Sequence, residues 1–565
     1  MLLQTLVLAG TASYILQSKA PQYSLGFWTT TSLLFFTCFF LVQTWRIFIY
    51  PRFFSPLRHI PTPPGGHWLW DQTRQILKEP SGIPMRNWVH SVPNNGLIRY
   101  STWFEPRVLI TNPKGLAEVL VTKNYDFTKP KQFTQSLGKI LGVGVLLAEG
   151  DEHKRQRKNL MPAFSFRHVK DLYPVFWSKA RELAQVVSAA INDTSDPDKI
   201  ANGDRKPDSG EAKHAPGAIE VYDWTSRATL DIIGVSGMDR DFNSLHDPTN
   251  ELNRTYKIIF KPGTVGKLIG LLSIFIPIQL LRLLPLKRNA DLNKANSYIK
   301  QVCRDLIVRK RERLGAEKQR SKADIDILSV ALESGGFSDE DLVNQMMTFL
   351  LAGHETTATA MAWALYELCR HPEIQQKLRD EVRLKLPSLD ADITAADIDD
   401  CHYLQAFCNE VLRVWAPVAV TMRVAAKDTT ILGQVIPKGT PIIICPWAVN
   451  MSEELWGADA KEFKPERWLD ADGRTNNRGS ADSNYSFLTF LHGPRSCIGQ
   501  RFAQAEFACL VAGWAGSFET RFEDGGELAK LAKDEAPGID GGVTARPKGG
   551  LWVQLKEIGG GGRVN

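Results

Sequence analysis

Apolar positions crowd the start of the chain and then spread into helical and strand-like patterns. From Ala20 to Trp45 no residue is charged, and within that stretch Leu33 to Val42 is densely apolar, with four phenylalanines. A stretch of this length can span a bilayer. Residues 1–18 are also uncharged but less apolar, which fits either a second span or an interfacial segment. Arg46, Arg52 and Arg58 follow, and by the positive-inside rule they place the remainder of the chain in the cytosol. No basic region precedes the apolar stretch, so a cleaved signal peptide is disfavoured. Pro56, Pro61, Pro63, Pro64, Gly65 and Gly66 mark a stiff hinge. The pattern predicts a membrane anchor over 1–50 with its span at about 25–45, a Pro-rich hinge over 51–66, and a body over 67–565.

Within the body, Leu97–Tyr100 and Arg107–Thr111 read as strands, and residues 221–236 and 287–314 as helices. A polar stretch from about 194 to 218 holds little that could pack and reads as a disordered surface loop. Ile258 to Leu286 is largely apolar but interrupted by Pro262, Pro277 and Pro285. Asp341 to Arg370 is predicted as one long helix, apolar on nearly all sides and therefore a core element. Ser338 and Asp341 form an S-x-x-D cap, and Pro372 limits the far end. Tyr403–Trp415 and Cys497–Trp514 read as further apolar helices. Gly559 to Gly562 reads as a flexible tail.

Composition narrows the classes. The chain has 565 residues, 43% hydrophobic and 23% charged, with a net charge of +6. Such a mild charge makes no case for nucleic acid. The eight cysteines form no C-x-x-C pair, which argues against a disulfide framework or zinc cluster and fits a reducing compartment.

The chemistry concentrates in Phe490-Leu491-His492-Gly493-Pro494-Arg495-Ser496-Cys497-Ile498-Gly499. One cysteine sits in a glycine-punctuated loop, with an arginine two residues before it. Gly493 and Gly499 allow tight turns and close backbone approach, and Phe490 is placed to keep the sulfur dry. The loop resembles the cysteine-ligand loop of the cytochrome P450 monooxygenases. That resemblance covers roughly residues 50–560. It implies a mainly α fold with a small β lobe near the N-terminal side of the body, preceded here by an N-terminal transmembrane helix. It implies heme b with Cys497 as axial thiolate to iron, which favours O–O cleavage.

By the same resemblance, Ala352-Gly353-His354-Glu355-Thr356-Thr357 matches the A-G-x-E-T-T run on the helix above the heme, with Thr356 bonding bound dioxygen and Glu355 relaying protons. Arg495, Arg157 and Arg423 would reach heme propionates. His153 stands where the family's W-x-x-x-R has tryptophan, and it too could reach a propionate. Glu410 and Arg413 match the structural E-x-x-R pair, which the family joins to the arginine of P-E-R-W, here Arg467. E-x-x-R also occurs at Glu152, Glu251, Glu317 and Glu367, and position alone selects Glu410. The segment 258–286 corresponds to the family's lid over the substrate channel, although plain core packing explains it equally. Phe133, Phe349, Val420 and Val543 are the candidate substrate contacts, and their apolar character suggests a lipophilic substrate.

The activity implied is insertion of one oxygen atom of O2 into that substrate, in a protein of the endoplasmic reticulum membrane. No flavin or nicotinamide fingerprint is apparent, so electrons would come from a separate NADPH–cytochrome reductase. The segment Tyr50 to Pro61 looks fungal, which points to secondary-metabolite biosynthesis. Fatty-acid or xenobiotic hydroxylation, and heme-thiolate isomerisation or dehydration without O2, are the alternatives. A non-enzymatic heme-binding membrane protein would have no use for an intact acid–threonine pair.

Overall fold

The computed structural model describes residues 2–559 except 20–21, 23–25, 68–70, 195–213, 216, 261–264, 266–268, 270–280, 282–283, 285, 317–325, 387–390 and 532–536. The expected loop at about 194–218 and the expected lid at 258–286 lie mostly outside the described residues. Elements used below are numbered in chain order. The helices are α1 (Leu2–Lys19), α2 (Phe27–Thr44), α3 (Val221–Met238), α4 (Asp339–Arg370), α5 (His402–Val414) and α6 (Gln500–Ser517). The strands are β1 (Leu97–Thr102), β2 (Glu105–Ile110), β3 (Phe127–Thr128), β4 (Thr421–Ala425), β5 (Pro441–Ile444), β6 (Ile539–Gly541) and β7 (Ala545–Pro547).

Helices dominate, as the apolar periodicity predicts. α4 starts where its cap dictates: Asp341 N donates to Ser338 Oγ, and Ser338 N donates back to Asp341 Oδ2, each at 3.2 Å. It runs 32 residues through the core and ends before Pro372. α3 crosses it closely. Thr229 and Thr225 on α3 donate to the carbonyls of His354 and Ala358 at 3.0 and 3.4 Å. At the other end of α4, Trp363 stacks on Trp415 with ring centroids 3.9 Å apart.

The β lobe draws on both ends of the body. Its five strands lie in the order β1-β2-β5-β4-β3, with β2 and β5 parallel and the other pairs antiparallel. Strands from residues 421–444 thus complete the sheet that residues 97–110 begin.

Among the described residues one helical path, Phe27 to Phe54, is long and apolar enough to cross a membrane, and none of its most apolar window is buried in the protein. The Pro-rich segment after it is strapped to the β lobe. Arg99 N donates to Pro61 O at 2.8 Å, Gln434 Nε2 donates to Pro56 O at 2.9 Å, and Leu57 and Ile60 are buried.

Candidate functional site

Cys497 sits in a loop closed by its own backbone: Cys497 N donates to Phe490 O at 2.8 Å and Ser496 N to Gly493 O at 3.0 Å. This bond back to Phe490 keeps Cys497 out of the helix. α6 accordingly begins at Gln500, later than the apolar run from Cys497 suggests. Gly493 has φ of 77°, and a Cβ there would lie 2.2 Å from Leu120 O, so no larger residue fits. Gly499 is different: its φ is −87°, it caps α6, and a Cβ there would meet only ordinary contact. Phe490 is half-buried, its ring edge-on to Phe487 at 6.3 Å. The Cys497 side chain is accessible yet ringed by protein. Burial pushes its thiol up, while the Gly499 N–H and the Arg157 guanidinium pull it down.

Around this loop the fold gathers positive charge. Arg157 donates to Ser496 O at 2.7 Å and to Ser496 Oγ at 3.2 Å, tying the helix Gly150–Leu160 to the loop. Arg495 donates to Phe127 O at 2.6 Å and pairs with Glu149 at 2.9 Å, while its buried Nε has no partner. Arg423 is 6% exposed, and its guanidinium donates to neutral oxygens, Met422 O at 2.9 Å and Thr421 Oγ1 at 3.3 Å. Burial, and then repulsion from Arg495, lowers Arg423 to about 10. Lys129, which nothing in the sequence singled out, completes the group. It pairs with Glu149 at 3.3 Å, and burial lowers it to about 8, with Arg423 and Arg495 adding to the effect. His153 is buried with Nδ1 unpartnered. Burial, then Lys129, Arg157 and Arg495, press it down to about 4, so it is neutral at pH 7.

The long helix presents one opening. α4 is buried almost throughout near its middle, but Ala352 is exposed, and Gly353 and Thr356 are partly accessible. Thr356 Oγ1 donates to Ala352 O at 2.9 Å, the i−4 back-bond expected of a mid-helix hydroxyl. Gly353 serves the crossing helix: a Cβ there would meet Ile233 of α3 at 3.0 Å. Glu355 points away from Thr356's accessible face, and its Oε1 accepts from Thr544 Oγ1 at 2.8 Å, between β6 and β7. Burial raises its carboxyl to about 7 against the opposing pull of Thr544, Arg546 and Tyr222. Thr357 donates to Glu506 Oε2 on α6 at 2.9 Å. Burial holds Glu506 far above the usual carboxylate range, hence neutral.

Behind the loop lies a buried ion cluster. Arg413 grips Glu410 with both sides of its fork, at 2.7 and 2.8 Å, and Arg467 Nε reaches Glu410 Oε1 at 2.9 Å. Trp468 Nε1 and Lys464 N fill the remaining acceptor sites at 2.9 and 2.8 Å. Asn450, which no sequence pattern singles out, links this cluster to the cysteine loop. It accepts Leu488 N at 2.7 Å and donates to Arg413 O at 3.0 Å and Thr489 Oγ1 at 2.8 Å.

The apolar candidates scatter in character. Phe133 and Val543 are exposed, Val420 is half-buried, and Phe349 is buried with its ring against Phe164 at 5.6 Å.

A sequence model described as Cytochrome P450 matches residues 95–535. The chain is 44% identical to cytochrome P450 monooxygenase sphH of Aspergillus fumigatus, over 91% of each chain. It is 40% identical to cytochrome P450 monooxygenase ALT8 of Alternaria alternata, over 95% of this chain and 96% of that one. It is 41% identical to cytochrome P450 monooxygenase FUM15 of Gibberella moniliformis, over 91% and 90%. A match of this reach, on a helical body with an accessible loop cysteine, means that the chain belongs to the cytochrome P450 family.

Proposed function

We propose that the protein is a membrane-anchored monooxygenase that uses Cys497-ligated heme b to insert one atom of O2 into a lipophilic substrate, in the biosynthesis of a secondary metabolite. One observation carries the assignment of the site. Lys129, Arg157, Arg423 and Arg495 crowd beside the Cys497 loop, and Glu149 is the carboxylate that pairs with both Lys129 and Arg495. Buried cations need anionic partners. Two propionates would satisfy the unpartnered Arg495 Nε and the Arg423 fork, so the residues fit heme. When bound, the heme supplies oxygen activation, with the thiolate as electron donor to iron.

The chain's own groups divide the remaining work. The loop backbone fixes the height of Cys497 Sγ, and the Gly499 N–H bonds the sulfur and tempers its charge. Neutral His153 can donate a ring N–H to a propionate in place of the tryptophan the family uses. Thr356 holds a hydroxyl at the opening of α4, and it could turn from Ala352 O to donate to a polar atom of a molecule bound there. Glu355, poised near neutrality, can give up and recover a proton under physiological conditions. Proton transfer needs Glu355 to swing from Thr544 towards the Thr356 side of the helix.

Electrons come from a separate NADPH–cytochrome reductase in the endoplasmic reticulum membrane, and its contact would fall on the basic face beside the cysteine loop. The Glu355–Thr356 pair favours oxygen chemistry over heme-thiolate isomerisation or dehydration.

The test is spectroscopic. Purified protein, reduced under carbon monoxide, should show the shifted band of thiolate-ligated heme, and Cys497→Ala should lose it. A full-length preparation that binds no heme, or a Cys497→Ala variant that keeps the band, overturns the assignment. Product formation dependent on both NADPH and O2 separates the monooxygenase from the isomerase.

A further inference from the structure

The two N-terminal helices lie against each other. Ser13 Oγ in the middle of α1 donates to Phe27 O at the start of α2 at 3.0 Å, which sets an antiparallel register. Ala9 and Ser13, one turn apart, are 2% and 0% exposed, and Thr30 and Thr31 on α2 are 5% and 7% exposed. The register that brings 13 to 27 brings 9 to 31, so these four small residues form one seam. Small residues four apart let helix backbones approach closely, and a hydroxyl-to-carbonyl bond across the seam replaces a water contact that lipid cannot offer. The outward faces are apolar on both helices. Leu8 and Ile15 on α1, and Leu33, Phe36 and Phe40 on α2, are all exposed.

Position follows from that pairing. α2 is the start of the segment long and apolar enough to cross a bilayer. α1 runs antiparallel beside its first part, with residues 2–13 level with residues 27–38, so a bilayer around that part of α2 surrounds most of α1 as well. Each helix has 18 residues, about 27 Å at 1.5 Å per residue and close to the ~30 Å hydrocarbon core. α1 in water would strand Leu8 and Ile15 and break the seam. α1 ends on one cation, Lys19, whereas Arg46, Arg52 and Arg58 follow α2. This asymmetry holds the body on the cytosolic side.

We propose that α1 and α2 cross the bilayer together as a two-pass hairpin packed on the Ala9–Ser13 seam, which returns the N-terminus to the cytosolic side with the catalytic body. The partner of the hairpin's outer face is the acyl-chain region of the membrane. The proposal rests on the membrane-anchored reading above, and the experiment separates the two. A glycosylation acceptor tag is fused ahead of Met1 in the full chain, and the same tag ahead of Gly26 in a chain lacking residues 1–25. Both are expressed in microsomes and assayed for a gel shift removed by endoglycosidase. The hairpin predicts no glycan on the full chain and a glycan on the shortened one, because a lone α2 carries its N-terminus into the lumen. Glycosylation of the full-chain tag overturns the hairpin while leaving the anchor intact, and so does an unmodified tag on both membrane-embedded chains. Release of the full chain by alkaline carbonate overturns the anchor itself. Exposed Asn484, in a sequon of the body, reports the body's side: it should stay bare.

Discussion

Burial lifts the Glu355 carboxyl from the ordinary 4.5 to about 7, so the folded protein holds a proton there that the unfolded chain releases. Stability from this proton is fully present below pH 4.5 and is lost as pH rises through 7. At 1.36 kcal/mol per pH unit the loss reaches about 3 kcal/mol. Glu355→Gln keeps a neutral acceptor for Thr544 and cannot ionise. Its melting temperature should therefore fall less than that of the parent between pH 5 and 8, while its coupling of NADPH use to product drops. An unchanged slope of stability against pH would show that Glu355 is ionised in the native protein throughout. Gly493 offers a second test at this scale. Gly493→Ala sets a Cβ 2.2 Å from Leu120 O at a φ of 77°. Strain of about 1–3 kcal/mol falls on the loop that holds the sulfur. The reduced carbon monoxide spectrum should then shift towards that of heme without a thiolate, whereas Gly499→Ala, whose Cβ meets only an ordinary contact at an ordinary φ, should leave it unchanged.

At the scale of elements, the α5 cluster acts as a clasp. Arg413 and Glu410 have side chains with 0% exposure, and Arg413 also donates to the carbonyls of Asn450, Ala460 and Glu462 at 2.8, 2.7 and 2.9 Å. Removing the arginine leaves Glu410 charged in the interior with Arg467 as its remaining ion partner, at a cost of about 3–5 kcal/mol. Arg413→Lys should recover little, because an ammonium cannot reproduce a fork that bonds five acceptors at once. Urea unfolding of both variants measures this, and a full rescue by lysine would show that charge alone matters. The cluster also shows what the sequence could reveal. E-x-x-R was recoverable because its place in an apolar helix before P-E-R-W singles out Glu410. Asn450 was not, because a lone asparagine has no pattern, and its role exists only where three segments meet. Lys129, Thr544 and Glu506 were hidden for the same reason: each takes its meaning from a partner on a distant element. The small strands β4 and β5 are five and four residues long and take their places by pairing with each other and with β2 and β3, partners that no local pattern announces. α4, by contrast, carried its cap, its length and its polar break in the sequence itself.

For the whole molecule, the boundary between the N-terminal helices and the body decides whether the body can fold without them. The sequence suggests a hinge from 51 to 66, yet its middle, Pro56 to Pro61, packs on the β lobe. Leu57 and Ile60 are 2% and 5% exposed within the cluster that includes Val108, Ile110 and Ile442, and Arg99 N depends on Pro61 O. Burying two such side chains contributes about 3–6 kcal/mol, and the backbone bond adds about 1 kcal/mol. Ser55 caps the short turn Pro56–His59 through Leu57 N at 3.2 Å, which makes Ser55 the natural first residue of the body. In the preceding helical segment, by contrast, Phe53 and Phe54 are 66% and 56% exposed. A chain starting at Ser55 should therefore be released from membranes, bind heme and unfold within about 1 kcal/mol of the body in the full-length protein. A chain starting at Thr62 should lose several kcal/mol and much of its heme. Equal stability of the two truncations, measured by urea unfolding followed through the heme absorbance, would return residues 55–61 to the hinge.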